Sequence, residues 1–222
     1  MIFGVIVTVS AIAIMEDKTQ KINNNFSSVF TDEKYIKAVS VDDIQVITQS
    51  ISCGYATIEI FSSWNGGDIT ETALFEEYGK VVTSTGKSFC EEMNKQFPEY
   101  STTMYSYLPN TELLDKVYIS LSKGMPVPFE WAAQYDNEWT LHYSLITSLD
   151  LKNDNITVLN PYGYIEELTI KDFLNRTSFN AYENLPFYLK LGFAFGPFEK
   201  NTIFIVEKKA CLIQKKGGNI YE

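Results

Sequence analysis

Three side chains in this sequence have the types and positions from which a reaction can be built. Cys53 stands in Ser52-Cys53-Gly54-Tyr55 just before a segment of helical periodicity. His142 lies within a strand-like run, and Asn160 ends the next such run in Asn160-Pro161-Tyr162-Gly163. A thiol at a helix amino terminus faces unpaired N–H groups and the positive end of the helix dipole, both of which favour thiolate over thiol. Cys53 is therefore a candidate nucleophile, and Gly54, with no side chain in the way, would let a substrate backbone approach it. On adjacent antiparallel strands an imidazole and a carboxamide sit side by side. Asn160 can then fix the ring of His142 while the other ring nitrogen faces the thiol. This is the Cys, His, Asn logic of a thiol hydrolase. Each residue alone has a plainer reading, as a small buried hydrophobe, a core histidine and a turn asparagine. Their order along the chain sets them apart.

Scarcity sharpens the assignment. The 222 residues hold one His and three Cys, at 53, 90 and 211. That is too few for a structural zinc site of four thiolates, or of two thiolates and two imidazoles. One possible imidazole base is left for one helix-start thiol, and the chemistry requires no metal or organic cofactor. With 45% hydrophobic and 14% aromatic residues the chain can bury a real core, and one domain is the default at this length. A net charge of −10 repels a phosphate backbone, which disfavours nucleic acid as a partner.

Residues 1–15, MIFGVIVTVSAIAIM, form an uncharged apolar run ended by Glu16, Asp17 and Lys18. Such a run is short for a bilayer span, which takes about 20 apolar residues, and fits a secretory apolar core, although the usual basic segment before it is missing. The expectation is a signal peptide or membrane anchor at 1–15, a polar tether at 16–35 and the domain at 36–222. An exported chain would be extracellular or held at the outer face of a membrane. Three cysteines then leave at least one unpaired; Cys90 and Cys211 could join, and two inert thiols are an equal alternative.

The elements that must position the trio follow from periodicity. Extended runs at 36–41 and 44–47 lead to helices over 56–64, from Asp68 to Gly79, from Ser84 or Thr85 to before Pro98, and from Asn110 or Thr111 to Gly124. The second half changes rhythm, with strands at 126–131, 139–149, 156–159 and 202–207 and a short helix near 170–174. Helices followed by antiparallel strands imply an α+β domain in which a helical layer packs on one side of a sheet. Residues 179–198, aromatic and broken by Pro and Gly, fit either a loop over the cleft or a sheet edge, and the tyrosines of 100–107 either line a peptide groove or pack under a loop.

Over roughly residues 40–178 the sequence resembles the C39-like cysteine peptidases, a compact branch of the papain-like fold. Resemblance is carried by QSISCGYATIEIFSSW at 49–64, LSKGMPV at 121–127, HYSLITSL at 142–149, ITVLNPYG at 156–163 and LTIKDFL at 168–174. It implies a cysteine peptidase acting on a peptide or protein through Cys53, His142 and Asn160 and an acyl-enzyme intermediate. It also implies an oxyanion hole from the Cys53 N–H and a glutamine side chain, with Gln49 first and Gln45 second. Gly54 and Tyr55 are the expected, weaker substrate contacts. Tyr55 stands where the family usually has Pro, and Asn160 where it usually has Asp. The second change still orients an imidazole but removes the charge that would stabilise an imidazolium. Two alternatives stay open: a catalytically weak or inactive peptide-binding module on the same fold, and an acyltransferase using the same trio. Oligomeric state is not legible.

Overall fold

The computed structural model describes residues 22, 25–179 and 186–210. The apolar run at 1–15, residues 16–21 and 23–24 of the expected tether, and Cys211, with its proposed bond to Cys90, lie outside the described residues. No helix among the described residues is long and apolar enough to cross a membrane.

Short 3₁₀ turns at Ser27–Phe30 and Glu33–Tyr35 lead to β1 (Val39–Ser40). Three helices follow: α1 (Cys53–Trp64), α2 (Glu71–Tyr78) and α3 (Gly86–Gln96). Each starts on a side-chain cap that takes an otherwise unpaired N–H: Ser52 from Tyr55, Thr70 from Ala73, and Thr85 from Ser88 in a reciprocal capping box. Then come β2 (Tyr100–Tyr105), α4 (Asn110–Ser122), β3 (Val127–Tyr135), β4 (Glu138–Asp150), β5 (Asn155–Asn160), β6 (Tyr164–Leu168), α5 (Ile170–Thr177), α6 (Phe187–Phe195) and β7 (Ile203–Lys208). The seven strands form one antiparallel sheet in the order β2-β7-β3-β4-β5-β6, with β1 added on β4.

The expected α+β class holds, with one correction. Helices cover both faces of the sheet instead of one. On one face α1 and α3 bury Tyr55, Ile58, Phe61, Phe89 and Met93 against Tyr143, Leu145, Leu159 and Phe204. On the other, α4 and α5 bury Leu113, Leu114, Val117, Leu121 and Phe173 against Phe129, Trp131, Ile146 and Val158. Strand residues of alternating parity feed the two cores, which is why β3, β4 and β5 read as nearly unbroken apolar runs. Each fully buried Leu or Val of α4 contributes about 1.5–3 kcal/mol, enough to hold that helix on the second face.

Three elements depart from the sequence reading. Residues 100–105 form a strand paired with β7, so these tyrosines are part of the sheet. Tyr100 is buried and its hydroxyl donates to Asn65 Oδ1 at 2.6 Å. Residues 187–195 form α6, neither a loop nor a sheet edge. The charged segment YIEEL forms β6 because β5 offers it a full register from Ile156↔Leu168 to Asn160↔Tyr164.

Candidate active site

Strand β4 is long enough to serve two partners. Its first part pairs with β3 through a two-residue turn at Asp136-Asn137, both at positive φ as a tight hairpin requires. Its second part pairs with β5 and β1. His142 sits opposite Trp131 in the first part. The pair Leu145↔Leu159 places Asn160 one step beyond, on the same face as Ser144 and diagonal to His142. Neither is accessible, with His142 1% and Asn160 0% exposed.

The contact the topology produces is His142 Nε2 to Asn160 Oδ1 at 2.8 Å. Asn160 Oδ1 also accepts the backbone N–H of Tyr162 at 2.9 Å, and its Nδ2 donates to Glu166 Oε1 at 2.7 Å. The turn that aims this amide closes with Gly163 N–H donating to the Asn160 carbonyl at 2.9 Å. Gly163 takes φ +99° there, and a Cβ would lie 2.6 Å from Thr48 Oγ1, so only glycine fits. Tyr162 stacks on the imidazole, with ring centroids 4.1 Å apart at 23°. The His142–Asn160 bond is thereby shielded from water.

Cys53 is the first residue of α1, after the Ser52 cap. The loop before it is held by Glu71, whose buried carboxylate accepts the backbone N–H of Ser50 at 2.7 Å, of Ile51 at 2.8 Å and of Ser52, together with the Ser50 hydroxyl. The backbone amide of Tyr143, next to His142 in β4, faces the sulfur, as do those of Gly54 and Cys53 itself. The structure thus brings His142 and Asn160 into direct contact and sets the thiol against the strand that carries His142. No thiol–imidazole hydrogen bond forms among the described residues; in ligand-free sites such bonds are often long and tighten only with substrate.

Electrostatics here runs against the helix-start argument. Burial pushes the Cys53 thiol up to about 11, outweighing the three backbone amides that pull it down. Burial likewise pushes His142 down to about 3, with the Asn160 bond opposing and the Arg176 charge adding. At neutral pH these shifts leave both groups uncharged, a thiol and a neutral imidazole. Helix dipole and amides are present as expected, but desolvation of the charged forms exceeds them.

Gln49 is half-buried and tied to the Asn160–Gly163 turn by its backbone N–H, which donates to the Pro161 carbonyl at 2.7 Å. The buried end of its carboxamide is Oε1, which has no partner among the described residues. Gln45 is exposed. The expected substrate contacts of Gly54 and Tyr55 are corrected. Gly54 is buried, and a Cβ on it would lie 2.2 Å from Thr83 Oγ1. Tyr55 is fully enclosed, donating to the Lys80 carbonyl at 2.8 Å and accepting from Val82 N–H at 3.1 Å. Both sit inside the α1 interface, where the small residue allows close packing and the phenol ties down the 80–82 loop.

Four residues that the sequence did not single out shape the site. They are Glu71 under the thiol loop, Tyr162 on the imidazole, and Glu166 with Arg176 behind Asn160. Glu71 had a legible but generic signal, an acidic residue at a helix start; the others carry none beyond lying near Asn160.

Residues 41–192, about two thirds of the chain, match the Peptidase_C39 like family. Among curated proteins none matches. Among solved structures, the chain resembles the crystal structure of a double glycine motif protease from an AMS/PCAT transporter in complex with the leader peptide. The identity is 11%, over 77% of this chain and 95% of that one, with a TM-score of 0.48. On the family match, the chain belongs to the Peptidase_C39 like family, with the α+β papain-like arrangement expected of it.

Proposed function

We propose that this chain is a cysteine peptidase that hydrolyses peptide bonds through an acyl-enzyme, with no metal or organic cofactor. The observation that carries the reading is the 2.8 Å contact of His142 Nε2 with Asn160 Oδ1, which commits that nitrogen and leaves Nδ1 as the base. Nδ1 takes the Cys53 proton as the sulfur attacks the peptide carbonyl. The S–C bond forms, and the carbonyl oxygen becomes an oxyanion received by the Cys53 N–H and the Gln49 side chain. Collapse of this intermediate breaks the C–N bond, and the Nδ1 proton leaves with the amine. Water, deprotonated by the same nitrogen, then releases the acid and restores the thiol. Residues 1–15 would tether the enzyme at, or export it to, the outer side of a membrane.

A second reading is favoured by one observation. A thiol held near 11 and an imidazole held near 3 make the ion pair costly, as expected of a peptide-binding module with little turnover. Incubation with an electrophilic peptide, mapping of the modified cysteine, and hydrolysis of a peptide library by wild type, Cys53→Ala and His142→Ala separate the two. The peptidase reading expects cleavage that both substitutions abolish and a label on Cys53. Peptide binding without cleavage or label supports the module.

A further inference from the structure

We propose that Glu166 is a positioning residue that sets the tautomer of His142 through Asn160; its kinetic consequence rests on the peptidase reading above. Glu166 lies in β6 and Arg176 in α5, and both side chains are mostly buried, at 17% and 11% exposure. Arg176 is fixed from three sides. Its Nη1 donates to Glu166 Oε2 at 2.5 Å, its Nε donates to the Ala132 carbonyl at 2.9 Å, and its guanidinium lies 3.6 Å over the Trp131 ring. Glu166 Oε1 is directed at Asn160 Nδ2, at 2.7 Å, and is reached more distantly by Arg176 Nη2 at 3.4 Å.

The Asn160 amide therefore stands between a group that only accepts, the Glu166 carboxylate, and one that only donates, the Tyr162 backbone N–H. Its orientation is fixed from both ends, and the atom facing His142 is an oxygen. An oxygen that can only accept requires the hydrogen of the neutral imidazole on Nε2, which leaves the lone pair on Nδ1. Only that tautomer can take a proton from a thiol on the Nδ1 side.

Position 166 needs a side chain that accepts at both oxygens. A glutamine there must turn an NH₂ either toward the permanently charged Arg176 or toward Asn160. Repulsion from Arg176, closest at the Oε2 position that Nη1 holds, selects the second; the NH₂ then faces the Asn160 NH₂, and Asn160 relieves that clash by flipping at the cost of its bond from the Tyr162 N–H. Asn160 Nδ2 would face His142 Nε2 and push the ring hydrogen to Nδ1. Glu166 thereby acts on a base it does not touch, and its effect passes through the carboxamide that stands where the family usually has a carboxylate.

The chain contains one histidine, so ¹⁵N-histidine labelling gives a single imidazole whose tautomer is read directly by NMR. Wild type is expected as the Nε2–H form. Glu166→Gln is expected to move toward the Nδ1–H form, with kcat reduced about tenfold or more, as for other partners that orient a histidine, and KM little changed. Adding Asn160→Asp should restore the Nε2–H form and most of kcat, since aspartate accepts from His142, from Tyr162 and from the introduced amide. An unchanged Nε2–H signal and kcat in Glu166→Gln overturns the inference. So does a folded double variant in the Nδ1–H form, which stays decisive should the single variant not fold. A tautomer switch without peptide hydrolysis by wild type would sink the peptidase reading and leave the positioning role standing; hydrolysis without a switch would do the reverse.

Discussion

His142 Nε2 and Asn160 Oδ1 meet 2.8 Å apart beneath the Tyr162 ring, with both residues closed to solvent. A polar contact made in such a place is costly to leave half-made. Asn160→Ala would strand His142 Nε2–H and the Tyr162 N–H at once, and leave Glu166 Oε1 only its longer bond from Arg176 Nη2 at 3.4 Å. Each unsatisfied buried group costs about 1–3 kcal/mol, so the variant should unfold at clearly lower denaturant concentration and lose most of its turnover. Unchanged urea midpoint and kcat would mean the contact holds nothing in place.

The thiol should be sluggish at rest. With burial holding Cys53 near 11, alkylation by iodoacetamide is expected to be slow at pH 7 and to climb well above pH 9. That is the opposite of what a helix-start thiol predicts on dipole grounds. Rates measured from pH 6 to 11, with Cys53→Ala as the blank for the other cysteines, check this. A plateau below pH 8 would show that dipole and amides win over desolvation.

Gln49 and Gln45 should separate cleanly. Removing an oxyanion donor costs about 10²–10³ in kcat, and Gln49 is the half-buried glutamine tied to the Asn160–Gly163 turn, while Gln45 is exposed. Gln49→Ala is expected to lose that much kcat with KM little affected, and Gln45→Ala to behave as wild type. Steady-state kinetics on a cleaved peptide decides the matter, and equal effects of the two would remove Gln49 from the oxyanion hole.

Glu130 gives stability a pH dependence of known sign. It is buried opposite Tyr143, and burial, with the Glu199 charge adding, pushes it from 4.5 up to about 7. A raised folded pKa means its contribution is fully present below 4.5 and is lost as pH rises through about 7. His142, pushed down from 6.5 to about 3, has the opposite sign: its contribution is present above 6.5 and is lost as pH falls toward 3. Glu130→Gln should abolish the loss between pH 4.5 and 7 and leave the rise due to His142. Urea midpoints across that range test this, and parallel curves for wild type and variant would refute it.

The sequence by itself determined the elements with strong local signals. Helices α1, α3 and α4 and strands β3, β4, β5 and β7 were legible because their apolar spacing, caps and turn residues are read within a few positions. The candidate trio rests on facts of the same local kind: a single histidine, a cysteine before a helical period and an asparagine in an Asn-Pro-x-Gly turn. Strand β6, rich in carboxylates, and strand β2, a run of tyrosines and threonines, were not. Each is a strand because a neighbour supplies its hydrogen bonds, and the coverage of both sheet faces was hidden likewise because it depends on where α4 lands.

The surroundings of these three residues came from the tertiary structure. Desolvation raises the thiol of half-buried Cys53 against the direction its helix start favours, because it depends on everything packed over a group and not on the helix it begins. Packing also placed Gly54 and Tyr55 in the interior, brought Glu71 beneath the thiol loop, and set Glu166 and Arg176 behind Asn160. Local sequence says which groups a segment can offer; only the fold says which of them end up dry, and which acceptor stands opposite which donor.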